Sequence, residues 1–252
     1  MNAKRNLIVF ALASVLVLSI LTSASMLIPA NENAKENAKA PENSPVISNN
    51  WDLERVDFIH YAKSDINKNA KNPGACYKLM GVKWTSLPVN YAINPSNPQG
   101  LGESFITNAI STSAETWDAK TSSELFSNLY DVDYSAQYGV LDSKNSIVFG
   151  TYPDNNVIAV TSIWFVRASK RIVEFDMLFN TYYNWGDASS NPLSMDLQNI
   201  ATHELGHSVG LDDIYSSSCS AVTMFGYSSE GEISKRTLEN ADILGLQKIY
   251  GL

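Results

Sequence analysis

The chain has 252 residues, of which 44% are hydrophobic and 17% charged, an ordinary globular composition with length for one sizeable core. Eighteen basic residues against 26 acidic give a formal charge of −8. Nucleic acid is thereby excluded as a partner, because binding it takes basic patches that this chain lacks, and the acidity reads as a solubility device.

Lys4 and Arg5 precede an apolar run from Leu7 to Leu21, followed by the small residues Ser23, Ala24 and Ser25. This pattern predicts a secretory signal peptide over residues 1–25, and its loss would leave the mature chain at −10. The competing reading is a membrane anchor, since the apolar run continues to Ile28. No charged stop-transfer cluster follows, which favours cleavage, a secreted or extracellular protein and no stable membrane span. Residues 26–75 are expected to be a linker or pro-segment: NENAKENAKAPENSP is polar and proline-punctuated, and its ENAK repeat cannot bury a core. Between Trp51 and Lys71, Val56, Phe58, Ile59 and Tyr61 add apolar character without a clean period, which fits a short pro-region or a strand docking on the domain. His60 lies among apolar neighbours there and is read as packed or surface-exposed rather than metal-bound.

One folded domain is expected over 76–252. Val82 to Ile93 suggests a first strand interrupted by Pro88. Ile106, Ile110, Ser113 and Trp117, spaced four, three and four, predict a helix with one buried face. Strands follow at Ile147–Phe149, Val157–Phe165 and Ile172–Phe179, the last placing Val173, Phe175, Met177 and Phe179 on one side and Glu174 and Asp176 on the other. A second helix is predicted from about Asp196 to Val209, then irregular chain from Tyr215 to Ser229, then a helix carrying Ile243, Leu246, Ile249 and Tyr250.

The second helix carries the chemistry. His203-Glu204-Leu205-Gly206-His207-Ser208-Val209-Gly210-Leu211-Asp212-Asp213 reads HExxHxxGxxD. Residues four apart share a helix face, so His203 and His207 can address one metal ion while Glu204 is displaced toward a water held there. Gly210 permits a positive φ that ends the helix and returns the chain, placing Asp213 as third ligand with Asp212 as the alternative. Three protein ligands leave zinc a fourth position for water, which is the mark of a catalytic site. Cys76 and Cys219 are the two cysteines, and in an exported chain an even count favours their pairing as a disulfide; the competing reading makes Cys76 a zinc-binding thiolate.

These residues resemble the metzincin superfamily of zinc endopeptidases, and within it the matrixins. Three features carry the likeness: the extended motif from His203 to Asp213; Met224 in Ala221-Val222-Thr223-Met224-Phe225, at the place of the family's Met-turn; and the tail from Leu238 to Gly251, like the matrixin terminal helix. Weaker matches at Trp84–Ile93, Phe105–Trp117 and Val173–Asp176 extend it over about 77–252. The resemblance implies an α+β fold, a twisted mixed β-sheet packed with an active-site helix and a C-terminal helix, and a matrixin-like catalytic domain over 76–252. It implies an enzyme, a zinc metalloendopeptidase acting on protein or peptide substrates through a zinc-activated water with Glu204 as general base. A peptide would add along Val157–Phe165, the counterpart of the family's edge strand.

The sequence departs from the family at three points. Most metzincins carry His where this chain has Asp213, although some relatives use Asp and a carboxylate is an accepted zinc ligand. Only three histidines occur, so one catalytic zinc is expected and the matrixins' second, structural zinc is not. Calcium stays open, Asp176 matching one acidic position of the family's calcium site. No cysteine-switch motif lies upstream. Tyr227 and Tyr215 are read as cleft-wall or packing residues ahead of ligands or oxyanion donors. A monomer is expected, and the alternative function is a zinc-stabilised extracellular binding module without proteolytic activity.

Overall fold

The computed structural model describes residues 52–63 and 75–252; the predicted signal peptide and most of segment 26–75 lie outside them. Among the described residues no helix is long and apolar enough to cross a membrane. The fold is α+β.

The longest strands are β1 (Leu53–Ala62), β5 (Val157–Val166) and β6 (Arg171–Asn180); shorter ones are β2 (Ala92–Asn94), β3 (Asp131–Val132), β4 (Ser146–Gly150) and β9 (Tyr227–Ser228). They form one mixed sheet in the order β3-β2-β4-β6-β5-β1-β9. The pairings β3-β2-β4-β6 are parallel, β5 runs antiparallel to β6, and β1 runs antiparallel to β5 and parallel to β9. A two-stranded pair, β7 (Trp185–Gly186) and β8 (Met195–Asp196), leads into the central helix. Residues 53–62 thus form a strand of the same sheet as the domain, one of the two alternatives the sequence leaves for this stretch.

Helix α1 (Glu103–Asp118) buries the stripe expected of it: Ile106, Ile110, Ser113 and Trp117 are all fully inaccessible. Each large apolar member stabilises the fold by about 1.5–3 kcal/mol through burial alone. Its partner is α2 (Leu197–Ser208). The Trp117 indole donates to Thr202 O at 2.8 Å and the Ser113 hydroxyl donates to Gln198 O at 3.1 Å, so the two helices are keyed by polar contacts inside an apolar interface. Gly206 is required there, because a Cβ would meet Met224 Sδ at 2.3 Å and Trp117 Cζ2 at 2.7 Å. Helix α3 (Asn240–Tyr250) sets Leu246, Ile249 and Tyr250 against the main core, with a capping box between Glu239 and Asp242 at its start.

Two expectations change in detail. The alternation from Val82 to Ile93 forms a strand only at its end; upstream of Ala92 it makes isolated bridges at Lys83 and Val89, on either side of Pro88, which has no N–H to donate to a ladder. On β6, Phe175, Met177 and Phe179 enter the main core as expected, while Val173 falls at a register shift opposite Trp164 and Phe165 and Ile172 enters the core instead; the face carrying Glu174 and Asp176 is covered too. Asp176 accepts from the amides of Gly139, Val140 and Ser146, and Glu174 from those of Asp142 and Ser143. Burial pushes these carboxyls up, Glu174 to about 7 and Asp176 to about 6, against the opposing pull of the amide donors.

Candidate metal centre

Helix α2 begins where Asp196 caps it, its carboxylate accepting from Asn199 N at 2.8 Å, while Arg236 holds the same carboxylate from outside. From that fixed start His203 and His207 fall on the face toward the sheet. The helix ends at Gly210, whose φ of +98° turns the chain and whose missing Cβ lets Val82 O approach; a Cβ would meet that oxygen at 2.5 Å.

The two imidazoles are oriented through their outer nitrogens. His203 Nδ1 lies 2.7 Å from Thr223 O and His207 Nδ1 2.9 Å from Leu211 O. Carbonyl oxygens only accept, so each Nδ1 carries a proton, and in the neutral ring Nε2 is left with a lone pair, the form in which imidazole binds a metal. Those lone pairs face one another at 3.1 Å, and Asp213 Oδ1 stands 3.3 Å from His203 Nε2 and 3.6 Å from His207 Nε2. Burial pushes the His207 imidazole down to about 4, which keeps it neutral. Asp213 Oδ1 is buried with no hydrogen-bond partner. With both rings neutral, three acceptors converge there, and they repel unless a cation lies between them. A tetrahedral zinc with bonds of about 2.0–2.2 Å has ligand edges of roughly 3.3–3.6 Å, so residue types and spacing both fit zinc.

Asp213 is brought in from the turn after α2, where its Oδ2 accepts from the Tyr215 hydroxyl at 2.9 Å. Asp212 points away, to Lys78 Nζ at 2.6 Å. Beneath the imidazoles, Met224 packs against Gly206, and its turn is held by Asp242, whose carboxylate accepts from Thr223 N at 2.8 Å and Met224 N at 3.1 Å. Thr223 is thus tied to α3 through its N–H and to His203 through its carbonyl. Cys76 and Cys219 are joined, with sulfurs 2.02 Å apart, so neither thiol is free to bind metal; Cys219 packs with Ile214, Val222 and Phe225 under the loop that carries Asp213 and Met224.

Glu204 is fully buried beside this cluster. Its Oε2 accepts from the Thr161 hydroxyl of β5 at 2.5 Å, and its Oε1 lies 3.4 Å from His60 Nδ1. Burial raises the carboxyl to about 7, opposed by His203 and by the Thr161 hydroxyl. Three residues that sequence reasoning left out or undecided therefore belong to this neighbourhood: Thr161, Tyr215 and His60. Thr161 and Ser162 are the two polar residues of an otherwise apolar strand, and the direct Cα partner of Thr161 on β1 is Phe58. Tyr227 does not reach the cluster; it stacks edge-on against Tyr215 and Phe225 and forms part of the wall.

A family model described as matrixin matches residues 83–251. Over 180 residues the chain is 27% identical to matrix metalloproteinase-16 of Homo sapiens and, at the same identity, of Mus musculus and Rattus norvegicus. Each alignment takes in 69% of this chain and only 28% of the relative.

Proposed function

From the premise that the chain belongs to the matrixin family, we propose that it is a secreted zinc-dependent endopeptidase with a two-histidine, one-aspartate metal site. The carrying observation is the convergence of His203 Nε2, His207 Nε2 and Asp213 Oδ1 at mutual distances suited to one zinc ion. Export is supported by the charged and apolar N-terminal pattern over 1–25, by the family and by the joined cysteines.

Bound there, zinc supplies Lewis acidity that polarises the scissile carbonyl and makes water a nucleophile near neutral pH. Glu204 takes the proton of the attacking water and returns it to the leaving amine. Thr161 holds one carboxylate oxygen and leaves the other, Oε1, for the proton. Thr223 O and Leu211 O fix the tautomers of the imidazoles, and Tyr215 aims Asp213. Gly210 and Met224 keep the ligand turn and its floor in place. The substrate is an extended peptide taken up along β5 on the side that β1 fills in this structure, where the β5 backbone supplies the hydrogen bonds that hold it.

The test combines metal content with catalysis. Purified protein should carry one zinc per molecule and cleave casein in a chelator-sensitive way, and Glu204→Ala should retain the zinc while losing turnover by at least about 10³-fold, the scale of a lost general base. Absence of zinc, or cleavage that survives chelation, would overturn the assignment.

A further inference from the structure

Lys235 is a charged side chain that the fold hides and the proposed chemistry leaves unused. It lies in the one-turn segment Ser234–Arg236 and is 1% exposed. Lysine is almost never fully buried unless paired, and this one has three acceptors: Tyr227 O at 2.6 Å, Glu232 Oε1 at 3.2 Å and Ser228 Oγ. A carbonyl, a carboxylate and a hydroxyl take up all three N–H groups of an ammonium, which accepts nothing in return. Ser228 Oγ therefore receives a hydrogen bond from Lys235 and has its own proton left to give.

The neighbour placed to take that proton is His60, whose Nε2 stands 3.0 Å from Ser228 Oγ. Burial pushes the His60 imidazole well below its ordinary value, and in the neutral ring an accepting Nε2 leaves the proton on Nδ1, which faces Glu204 Oε1 at 3.4 Å. One polar file thus runs from the buried ammonium through hydroxyl and ring to the carboxylate. His60 also marks a place for substrate. Glu204 returns its proton to the leaving amine, so the residue bearing that amine lies next to Glu204, where His60 stands edge-on to His203 with centroids 3.9 Å apart. The strand that carries His60 lies between β5 and β9, the walls of the groove. Asn199, one helical turn before His203, accepts from Lys235 N through Oδ1 at 2.7 Å and keeps a buried Nδ2 without a partner. The end of this recess therefore offers donors, with a positive charge behind them.

We propose that Ser228, backed by Lys235, determines which residue follows the cut bond: a side chain ending in a hydrogen-bond acceptor, Gln or Glu, is selected over Leu, and Lys and Arg are rejected. The proposal rests on the peptidase reading for the cleavage preference, but not for the chemistry of the recess. A site built to donate a hydrogen bond discriminates against an apolar substitute, because its donor is then left buried and unmatched. Leu in the place of His60 strands the Ser228 hydroxyl in this way. A cationic side chain brings a second positive charge toward Lys235, and like charges brought together are a means of excluding the wrong partner. A carboxamide or carboxylate oxygen takes the hydroxyl proton as the imidazole does.

The experiment uses the full chain loaded with zinc, as wild type and as Ser228→Ala, with a randomised peptide mixture whose products are sequenced. Wild type should favour Gln and Glu over Leu after the cut by about tenfold or more, with Lys and Arg absent there, and Ser228→Ala should lose that preference. A second measurement needs no turnover. His60→Gln and His60→Leu are melted with and without Ser228→Ala, so that residue 60 reports on the recess. With Ser228 present the Leu variant should melt about 2–12 °C below the Gln variant, the shift expected of one unmatched buried donor, and Ser228→Ala should narrow that gap. Leu preferred after the cut by wild type, or a gap that is the same with and without Ser228, overturns the proposal. If neither peptides nor casein are cut while the gap appears and narrows as expected, the recess stands as described and the peptidase reading falls. Should Ser228→Ala fail to fold, the wild-type cleavage preference and the Gln-to-Leu gap decide alone.

Discussion

Two adjacent aspartates, Asp212 and Asp213, could each have closed the metal site by sequence alone, and they experience opposite surroundings. Asp213 offers an unpartnered oxygen to two imidazole lone pairs, whereas Asp212 faces a lysine at the surface. Loss of a ligand should exceed the 10- to 100-fold penalty typical of residues that only support ligands. We therefore expect Asp213→Ala to weaken zinc binding more than about 100-fold, and Tyr215→Phe, which removes the hydroxyl that aims Asp213, to weaken it by roughly 10- to 100-fold. Asp212→Ala should stay within about tenfold of wild type, because an exposed ion pair contributes about 1 kcal/mol or less. Chelator competition followed by metal analysis ranks the three, and equal losses for Asp212→Ala and Asp213→Ala would defeat the ligand assignment.

At the scale of elements, the site depends on α3, which touches no metal ligand. Asp242 accepts three backbone N–H groups, from Thr223, Met224 and Glu239, and so ties the turn beneath the imidazoles to the helix start. Asp242→Asn would turn an amide NH2 toward one of those donors. Leaving a buried donor unmatched costs about 1–3 kcal/mol, or roughly 2–12 °C in Tm for a domain of this size. We expect a lower Tm and weaker zinc binding together, since Thr223 O loses its hold on His203; calorimetry with and without zinc measures both. Retained zinc affinity at a lower Tm would confine Asp242 to stability.

The same elements show why some of the fold was legible and some was not. Helix α2 could be read because its cap, its histidine spacing and its glycine stop are all local to fifteen residues. The α1 stripe was equally local. β1 was not, for its ten residues pair with a strand about a hundred positions downstream, and its inward residues Phe58 and His60 answer to the site rather than to a hydrophobic period. His60 reads in sequence as packed or surface-exposed; it is buried, and what it packs against is invisible in sequence. The run from Val82 misled because alternation marks a strand only where the backbone can donate, and Pro88 interrupts it.

For the whole molecule, the link between Cys76 and Cys219 spans 143 residues and encloses most of the core and five of the seven strands of the main sheet. Such a closure removes much of the freedom of the unfolded chain, and deleting a native bridge costs about 2–5 kcal/mol. That is a large share of the stability of a single domain, typically about 5–15 kcal/mol. The metal ligands, by contrast, all lie between His203 and Asp213, oriented by Leu211, Thr223 and Tyr215 without either cysteine. Stability and metal binding should therefore separate. Cys76→Ser/Cys219→Ser is expected to melt roughly 5–20 °C below wild type, in both the zinc-free and the zinc-loaded form, while still binding one zinc per molecule. Scanning calorimetry and metal analysis on the same samples test this. Zinc lost along with the bridge would mean that Cys219 orders the ligand loop directly, through its packing on Ile214, Val222 and Phe225. An unchanged Tm would mean that the sheet and helices alone hold the chain ends in place.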